Sequence, residues 1–353
     1  MSEPLPWKPE VTVSEPKTIS RSTGNHWFPH TMFKANGLIY LGFSAGSDDP
    51  DNQDDMVHGV LHALFASNDQ GWNWFPQACQ QVCHDPWPMG TLNDGTILSW
   101  NGLYMKPSGE LFGWSCRSVG ADVFTETLEV PVQMPPDVVK PLDPQPPGKT
   151  MVNVQLGGTI MELDNGEILH AASGEFRGEG ERNRVFILKS TDRGASWSYT
   201  VTVATDPEEK FGKGLCEPDM ICLPNGDVLC VIRTGHDSPM IQSRSADGGQ
   251  TWSDPEVLAT NGVAPQLLLL ESGIIACSFG RLDGHPSEGN AIMFSRDDGQ
   301  TWTERTIIAK GPSTGYTSMV EIAPGELLYA YDALGFGWER CNSILTVNVK
   351  VEA

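Results

Sequence analysis

Short apolar segments alternate with turns along most of the chain, and the alternation repeats. In each repeat an apolar segment leads into a turn that ends in glycine, and a second apolar segment follows. The six turn glycines are Gly37, Gly95, Gly166, Gly226, Gly273 and Gly325. Turn residues flanked by β-forming residues are typical of hairpins. The pattern therefore predicts six hairpin units, each of about 50 to 70 residues with its loops, which is the size of a four-stranded propeller blade.

A second repeat, Ser-x-Asp-x-Gly-x-x-Trp, follows the third predicted strand of four units and is absent from units two and six. It occurs at residues 67–74, 190–197, 245–252 and 295–302. Ser and Asp side chains bond nearby backbone amides, Gly takes a positive φ, and Trp anchors the turn by packing. Together the two repeats predict an all-β, six-bladed β-propeller of four-stranded antiparallel blades.

The ends of the chain are expected to complete the last blade. The alternating tail at residues 344–351 is typical of a strand, and Val11–Val13 can pair with that blade and close the ring, which removes free edges. We expect one domain over residues 1–353. A proline-rich insertion at about 131–149, between blades two and three, is too rich in proline for a central strand and is interpreted as a surface linker.

A formal charge of −22 argues against nucleic acid or an anionic membrane as a partner, since both need clustered Lys and Arg. A small anionic ligand stays compatible with this charge, because a local arginine cluster dominates at short range. The N-terminus shows no signal-peptide pattern, and no apolar run suggests a membrane span, so a cytoplasmic protein is expected.

The cysteines indicate reduced thiols rather than disulfides or a metal site. Cys222, Cys230 and Cys277 lie inside apolar strand patterns, as buried free cysteines do. Cys79, Cys83 and His84 are close in sequence, but no second ligand pair stands at zinc-site spacing. Neither a metal nor a cofactor is expected.

The four Ser-x-Asp-x-Gly-x-x-Trp motifs within six hairpin units resemble the Asp-box, or BNR, repeat of the sialidase (neuraminidase) superfamily. The resemblance covers essentially the whole chain, and the motif is specific for the fold rather than for an activity. It implies that the motif residues lie at the periphery of the blades and are structural, with Asp69, Asp192, Asp247 and Asp297 bonding within the turns.

The resemblance also implies an active site at the mouth of the central channel. Glu217 opens blade four, Arg233 and Arg281 end second strands, and Tyr316 opens blade six, in the order of the catalytic half of sialidases. There tyrosine is the nucleophile, glutamate takes its proton, and arginines hold the substrate carboxylate. A phenol with a pKa near 10 needs such a carboxylate to react near neutral pH, and arginine is suited to bidentate carboxylate binding.

The N-terminal half departs from the family pattern. Trp27 stands where the family has its first arginine, so Trp27, His26 and His30 are interpreted as a subsite for another sugar. The general acid is expected in the acidic loop after the second strand of blade one, where Asp55 and then Asp54 are favoured and Asp48 and Asp49 remain alternatives. Weaker candidates at the mouth, each more often structural than functional, are Trp87, Glu175 and Arg177.

These residues favour an exo-acting, retaining glycoside hydrolase that cleaves a terminal acidic sugar from a sialoside or related glycoside. Sialidases are an exception to the two-carboxylate scheme of glycosidases because their nucleophile is tyrosine. Two other hypotheses remain open. One is a non-catalytic carbohydrate-binding propeller, which needs neither the missing arginine nor an acid. The other is a uronate lyase with a Tyr, His and Arg site.

Overall fold

The computed structural model describes residues 7–22, 26–45, 61–77, 89–119, 122–136, 152–176, 183–208, 210–211, 214–235, 238–281, 289–335 and 342–352. Every element in these ranges is a β-strand, and they contain no helix. Accordingly, no helix in this part of the chain is long and apolar enough to span a membrane. The all-β class predicted from the hairpin pattern is confirmed.

Three separate antiparallel sheets have four strands each, in chain order. The first consists of β3 (His26–Ala35), β4 (Leu38–Ala45), β5 (Leu61–Ser67) and β6 (Phe75–Pro76). The second consists of β15 (Cys216–Cys222), β16 (Val228–Arg233), β17 (Pro239–Ser245) and β18 (Glu256–Asn261). The third consists of β19 (Val263–Leu269), β20 (Ile275–Gly280), β21 (Asn290–Ser295) and β22 (Thr306–Ala309). Each sheet contains one predicted hairpin between its first two strands.

Two further four-stranded meanders join into one eight-stranded sheet whose strand path closes on itself. The first meander consists of β7 (Met89–Thr91), β8 (Ile97–Met105), β9 (Leu111–Val119) and β10 (Asp122–Gln133). The second consists of β11 (Val154–Glu162), β12 (Ile168–Glu175), β13 (Asn183–Ser190) and β14 (Trp197–Ala204). Only short parallel contacts join them, between β10 and β14 and between β7 and β11.

The first residues of the predicted proline-rich insertion belong to a strand. Strand β10 continues through Pro131 to Gln133, and Pro131 pairs with Phe112 of β9. Proline is tolerated here because β10 is the last strand of its meander and pairs with β14 over two residues only. Residues 137–150 of the insertion lie outside the described residues.

The last sheet is built from both ends of the chain. It contains β23 (Thr317–Ala323), β24 (Glu326–Ala333) and β25 (Asn342–Glu352), and β25 also pairs with β1 (Glu10–Val13) and β2 (Lys17–Ser22). The pairing of β1 is antiparallel, with Val11 opposite Val351. The expected pairing of Val11–Val13 with the C-terminal strand is therefore present.

Apolar clusters lie between sheets that follow one another along the chain. Met161 and Leu169 of β11 and β12, for example, share a cluster with Val228 and Ile232 of β16. The first and last sheets are joined in the same way, because Leu41 and Phe43 pack with Leu328. The core is thus distributed over the interfaces between sheets, and the chain returns to its starting sheet.

The four Ser-x-Asp-x-Gly-x-x-Trp segments, called box turns below, share one hydrogen-bond pattern. In the turn at 245–252, Ser245 Oγ donates to Asp247 Oδ1 (2.8 Å), and the Gly249 amide donates to Ser245 Oγ (2.8 Å). The backbone amide and hydroxyl of Thr251 donate to the two oxygens of Asp247 (2.8 and 2.6 Å). These hydrogen bonds, above all the two from Thr251, lower the pKa of Asp247 to about 2. The aspartate carboxylates of the box turns thus form their hydrogen bonds within the turns.

Each box turn also contacts the sheet that precedes its own around the ring. A Cβ atom added to Gly249 would lie 2.8 Å from Leu169 Cδ1, and one added to Gly299 would lie 2.7 Å from Leu229 Cδ2. The other two pairs are Gly194 with Leu98 and Gly71 with Leu328. All four leucines stand three residues after a hairpin glycine, so the two sequence repeats meet at the same point of each interface.

Leu229→Ala is expected to lower the free energy of unfolding by about 2–5 kcal/mol, because Leu229 is fully buried beneath the box turn of the next sheet. Chemical denaturation measures this value. Leu128→Ala is the matched control: Leu128 is 38% exposed, and its loss should cost less than about 1 kcal/mol. Equal costs for the two variants would contradict the proposed role of the leucine.

Candidate active site

The candidate site forms where several first strands begin and second strands end. Glu217 is the second residue of β15, Arg233 is the last residue of β16, and Tyr316 directly precedes β23. Cys216, beside Glu217, is paired with Arg233 across the β15–β16 hairpin. The ends of β15 and β16 in one sheet and of β23 in the last sheet thus bring these three predicted residues together.

The Glu217 carboxylate is the centre of the hydrogen-bond group. Its Oε1 atom accepts a short hydrogen bond from the Tyr316 hydroxyl and another from Arg233 Nη1 at 2.6 Å. Its Oε2 atom accepts from the backbone amide of Ala264 at 2.9 Å. Both oxygens therefore accept hydrogen bonds, and the bond from the backbone of the neighbouring sheet fixes Oε2. The other oxygen, Oε1, is thereby oriented toward the phenol.

Burial and charge keep the Tyr316 phenol protonated. Its pKa is raised well above the usual value, first by burial and then by the negative charge of Glu217, although Arg233 acts in the opposite direction. The Phe28 ring packs edge-on against the Tyr316 ring, with centroids 4.6 Å apart. Burial opposes the charge of Arg233, but the charge and hydrogen bond of Glu217, together with Cys216 and Tyr316, raise its pKa on balance.

The segment that precedes Tyr316 is fixed by a second buried carboxylate, that of Asp332 at the end of β24. Its Oδ1 atom accepts from Ser313 Oγ (2.7 Å) and from the Thr314 amide (2.8 Å). Its Oδ2 atom accepts from the Thr314 hydroxyl and from the Phe28 amide (3.0 Å). Asp332 therefore connects the Tyr316 segment to Phe28, the residue whose ring packs on Tyr316.

Arg281 follows β20 and is attached to the same segment, because its Nε donates to the Thr314 carbonyl at 2.8 Å. Thr314 is thus bonded through its amide, hydroxyl and carbonyl. This close approach requires glycine: a Cβ on Gly280 would lie 2.3 Å from Gly315 Cα. Gly315 itself has a φ of 91°, which favours glycine.

Strand β15 is held in place by Asp219, two residues beyond Glu217. Its carboxylate accepts backbone N–H bonds from Thr159 on one neighbouring sheet and Leu267 on the other, each at 2.7 Å. Burial raises the pKa of Asp219 to about 6, although the two backbone bonds act in the opposite direction. Asp219 links three sheets and so fixes the strand that carries Glu217.

Two other predicted residues, His30 and Glu175, are also described by the structure. The ring centroid of His30 is 6.5 Å from that of Tyr316, but His30 is only 4% exposed. It therefore packs beside Tyr316 with little accessible surface, and its predicted contact to a sugar stays a prediction. Glu175 is the partly buried last residue of β12.

The remaining predictions are not tested by the structure. His26 and Trp27 belong to strand β3, but their side chains are outside the described part of the molecule. Asp54, Asp55, Trp87 and Arg177 lie outside the described residues, as do the alternatives Asp48 and Asp49.

Sequence reasoning missed Asp332 and Phe28, although both carry a signal. Asp332 stands seven residues after the hairpin glycine Gly325, the same offset that separates Arg233 from Gly226. Phe28 precedes a proline, as Glu217 does, and both have a positive φ (53° and 47°). Comparing equivalent positions between units would have found both.

The described cysteines are free thiols. Cys230 and Cys277 are fully buried in the core, as predicted, and burial raises the pKa of both well above the usual value. Cys216, next to Glu217, has its pKa raised to about 12 by burial and by the Glu217 charge. Among the described residues, no group of three or more His, Cys, Asp or Glu side chains is placed to bind a metal ion.

Solved structures with the same fold include several sialidases. A Hadza microbial sialidase, Hz136, is 14% identical with a TM-score of 0.67, and the match covers 93% of this chain and 66% of that one. Trypanosoma rangeli sialidase in complex with the inhibitor DANA is 15% identical with a TM-score of 0.62, over 92% of this chain and 55% of that one. The chain thus spans about half to two thirds of these enzymes.

A protein of unknown function from Dyadobacter fermentans matches over nearly its full length. It is 21% identical with a TM-score of 0.76, and the match covers 97% of this chain and 99% of that one. No curated protein sequence matches the chain.

The fold is thus that of the sialidase-like β-propellers, as the motifs predicted. The BNR repeat-like domain family matches residues 144–329, more than half of the sequence. The chain belongs to this BNR repeat-like family.

Proposed function

We propose that the protein is an exo-acting, retaining glycoside hydrolase that removes a terminal acidic sugar, a sialoside or a related glycoside. The observation that carries the proposal is the hydrogen bond from the Tyr316 hydroxyl to Glu217, whose same oxygen accepts from Arg233. A phenol paired with a carboxylate in a buried, charged setting is what a tyrosine nucleophile requires. A structural tyrosine at a strand end needs no such pair.

In the proposed mechanism, Tyr316 Oη attacks the anomeric carbon while its proton passes to Glu217. The bond to the leaving oxygen breaks, and Asp55 or Asp54 protonates that oxygen. Water then attacks the anomeric carbon of the glycosyl-tyrosine and gives its proton to the same Asp. The bond between that carbon and Tyr316 Oη breaks, and Glu217 returns its proton to Oη. Two inversions give net retention. T. rangeli sialidase, a structural neighbour, has been solved with 2,3-difluorosialic acid as a covalent intermediate.

The arginines suit an acidic sugar. The guanidinium of Arg281 is oriented by the Thr314 carbonyl beside the Tyr316 segment. The Arg233 guanidinium donates to Glu217 in the same group, and the guanidinium fork is suited to bidentate carboxylate binding. We propose that Arg281 and Arg233 together hold the substrate carboxylate. Trp27, His26, Trp87, Glu175 and Arg177 remain proposed contacts to the rest of the sugar.

The finer architecture is also part of the proposal. We infer a single domain of six four-stranded blades, with the eight-stranded sheet divided into its two meanders and β1 completing the last blade. The short parallel contacts between the meanders and the apolar clusters between consecutive sheets support this division.

Hydrolysis of a panel of chromogenic sialosides, uronides and neutral glycosides tests the proposal. We expect turnover of an acidic glycoside, and proton NMR should show that the first product has the anomeric configuration of the substrate. Inversion, or no turnover of any member of the panel, would contradict it. Tight binding of a glycan without turnover would favour the carbohydrate-binding alternative, which Trp27 at the arginine position motivates.

A uronate lyase fits the site less well. A lyase tyrosine acts as the base itself, whereas the Tyr316 hydroxyl donates to Glu217, the arrangement of a nucleophile and its base. The buried His30 also offers little surface to a substrate. A lyase product absorbs in the ultraviolet, so one spectrophotometric assay on a polyuronate separates the two reactions.

Asp332→Asn is expected to lower kcat by about 10- to 100-fold with little change in KM, because small misplacements of reacting groups carry costs of this size. Asparagine replaces one acceptor oxygen with a donor, so bonds to Thr314 or Phe28 are lost and the Tyr316 segment shifts. Asp206→Asn is the control, since buried Asp206 also accepts two backbone N–H bonds, from Lys210 and Phe211. It should lose stability but keep kcat. A fall in kcat that merely follows the loss of folded protein would contradict the positioning role of Asp332.

A further inference from the structure

Trp72 is the most exposed large apolar side chain among the described residues, with 67% of its surface accessible. Of the tryptophans that end the box turns, Trp197 is fully buried and Trp74, Trp252 and Trp302 are partly buried. The exposed part of the Trp72 indole contributes no burial to folding, because its apolar area stays in water. This area is accessible to a ligand.

The box turn does not require tryptophan at this position. Counted from the box serine, Trp72 corresponds to Ala195, Gln250 and Gln300 in the other three turns. Three turns share one backbone bond here: the amides of Trp72, Ala195 and Gln300 donate to the carbonyls of Asp69, Asp192 and Asp297 at 3.3, 3.3 and 3.2 Å. The Gln250 amide donates to the Asp247 carboxylate instead. The four turns thus provide an internal comparison in which only Trp72 is a large apolar residue.

Trp72 forms one side of a groove of about 470 Å³ between its box turn and the connection from β1 to β2. Lys17 Nζ lies 5.0 Å from the centre of its ring, which helps to fix the indole. Ser14, Glu15, Gln70 and Asn348 also line the groove, so residues with hydroxyl, carboxylate and amide groups lie in the same groove as the indole.

We propose that this groove binds a neutral saccharide chain at a site distinct from the Tyr316 site. The C–H face of a pyranose stacks on an aromatic ring, while its hydroxyls both donate and accept hydrogen bonds, as the surrounding side chains also do. Glu15 and Lys17 have opposite charges, so the groove favours no net charge on the ligand. The volume is within the range of small-ligand sites, which is about 300–1,000 Å³.

A protein partner fits the groove less well. The centres of protein interfaces are depleted in Lys and Glu, whereas Lys17 lies directly over Trp72 and Glu15 lines the same groove. The inference does not depend on catalysis by Tyr316. Where the proposed hydrolase function also holds, the groove would hold the neutral part of a glycan near the enzyme.

The test is calorimetric titration of the full chain carrying Tyr316→Phe with cello-, malto-, xylo-, manno- and chitohexaose. Tyr316→Phe prevents turnover, so binding is measured separately from the proposed function. We expect one of these probes to bind with a Kd of about 1 mM or tighter, and Trp72→Ala to weaken binding at least tenfold. Trp72→Gln should do the same.

Two features keep the test decisive. Alanine and glutamine already occupy the equivalent position in other box turns, so both variants should fold with an unchanged melting temperature. Gln300→Ala, at the same position of another turn, should leave binding unchanged. The proposal is overturned if no probe binds the parent, or if Trp72→Ala binds equally well. Dissociation of a homodimer by Trp72→Ala, seen by sedimentation, would identify a second copy as the occupant instead.

Discussion

Tyr316→Phe is expected to abolish glycoside hydrolysis, with kcat lower by about 1,000-fold or more, because loss of a nucleophile removes the covalent route entirely. The ring is retained, so its edge-on packing with Phe28 persists. KM and the melting temperature should therefore change little. A fluorinated acidic glycoside that traps the glycosyl-enzyme should label the Tyr316 peptide in the parent protein and nothing in the variant, as measured by mass spectrometry.

Tyr199→Phe is the matched control for this variant. It removes the same hydroxyl, which in Tyr199 bonds to Thr202 Oγ1 at 2.7 Å on β14, away from the site. Its kcat should stay within about twofold of the parent, as for substitutions remote from reacting groups. Full activity of Tyr316→Phe would reject the tyrosine mechanism.

Glu217→Gln is expected to lower kcat by about 10²- to 10⁴-fold, the usual contribution of a general base. It should also destabilise the fold. The Arg233 side chain is only 11% exposed and would lose its carboxylate, and breaking such a buried pair costs about 3 kcal/mol. Steady-state kinetics and chemical denaturation measure the two effects separately.

Glu167→Gln is the matched control, because it removes a paired carboxylate that lies outside the candidate site. Glu167 pairs with Lys189 at 2.8 Å, but both side chains are about a quarter exposed. Its removal should cost less than about 1 kcal/mol and leave kcat unchanged. If Glu217→Gln were as mild as this control, Glu217 would be neither the base nor the partner that Arg233 needs.

The strand pattern was predictable because the hairpin turns depend on local chemistry. Each predicted turn ends in a glycine with a positive φ, as Gly166 (82°) and Gly226 (88°) do. Such a conformation is easy for glycine and costly for most other residues, so it marks the turn in the sequence. The bonds of the box serine and aspartate side chains are equally local, since they join residues at most four positions apart.

The sequence repeat shows where strands begin and end, so only the site residues at those positions were predictable. Glu217, Arg233 and Tyr316 meet because each stands at such an end. The bond from the Ala264 amide to Glu217 was not predictable, because it depends on the irregular register between Val263 and Gln266. Which arginine contacts Glu217 directly also depends on side-chain geometry, and so does the attachment of Arg281 to Thr314.

Local rules fail at three positions that surround the site. Phe28, Glu217 and Ala264 each precede a proline, which normally favours an extended conformation, yet each has a φ near +50°. Left-handed backbone is costly for such residues, and tertiary structure must enforce it. Backbone amides of two of them, Phe28 and Ala264, donate to Asp332 and Glu217. The departures from local preference occur where the two central carboxylates are held.

The contact between box glycine and leucine makes the hairpin units unequal modules. Where a unit with a box follows, the preceding unit has leucine three residues after its hairpin glycine. Units two and six lack the box, and the corresponding residues before them are Tyr40 and Ala276. A unit with a box that was moved to follow unit one or unit five would therefore meet Tyr40 or Ala276 in place of leucine. Units three and four have both the box and the leucine and so match each other, but an exchange between a unit with a box and one without it must change two neighbouring sheets together.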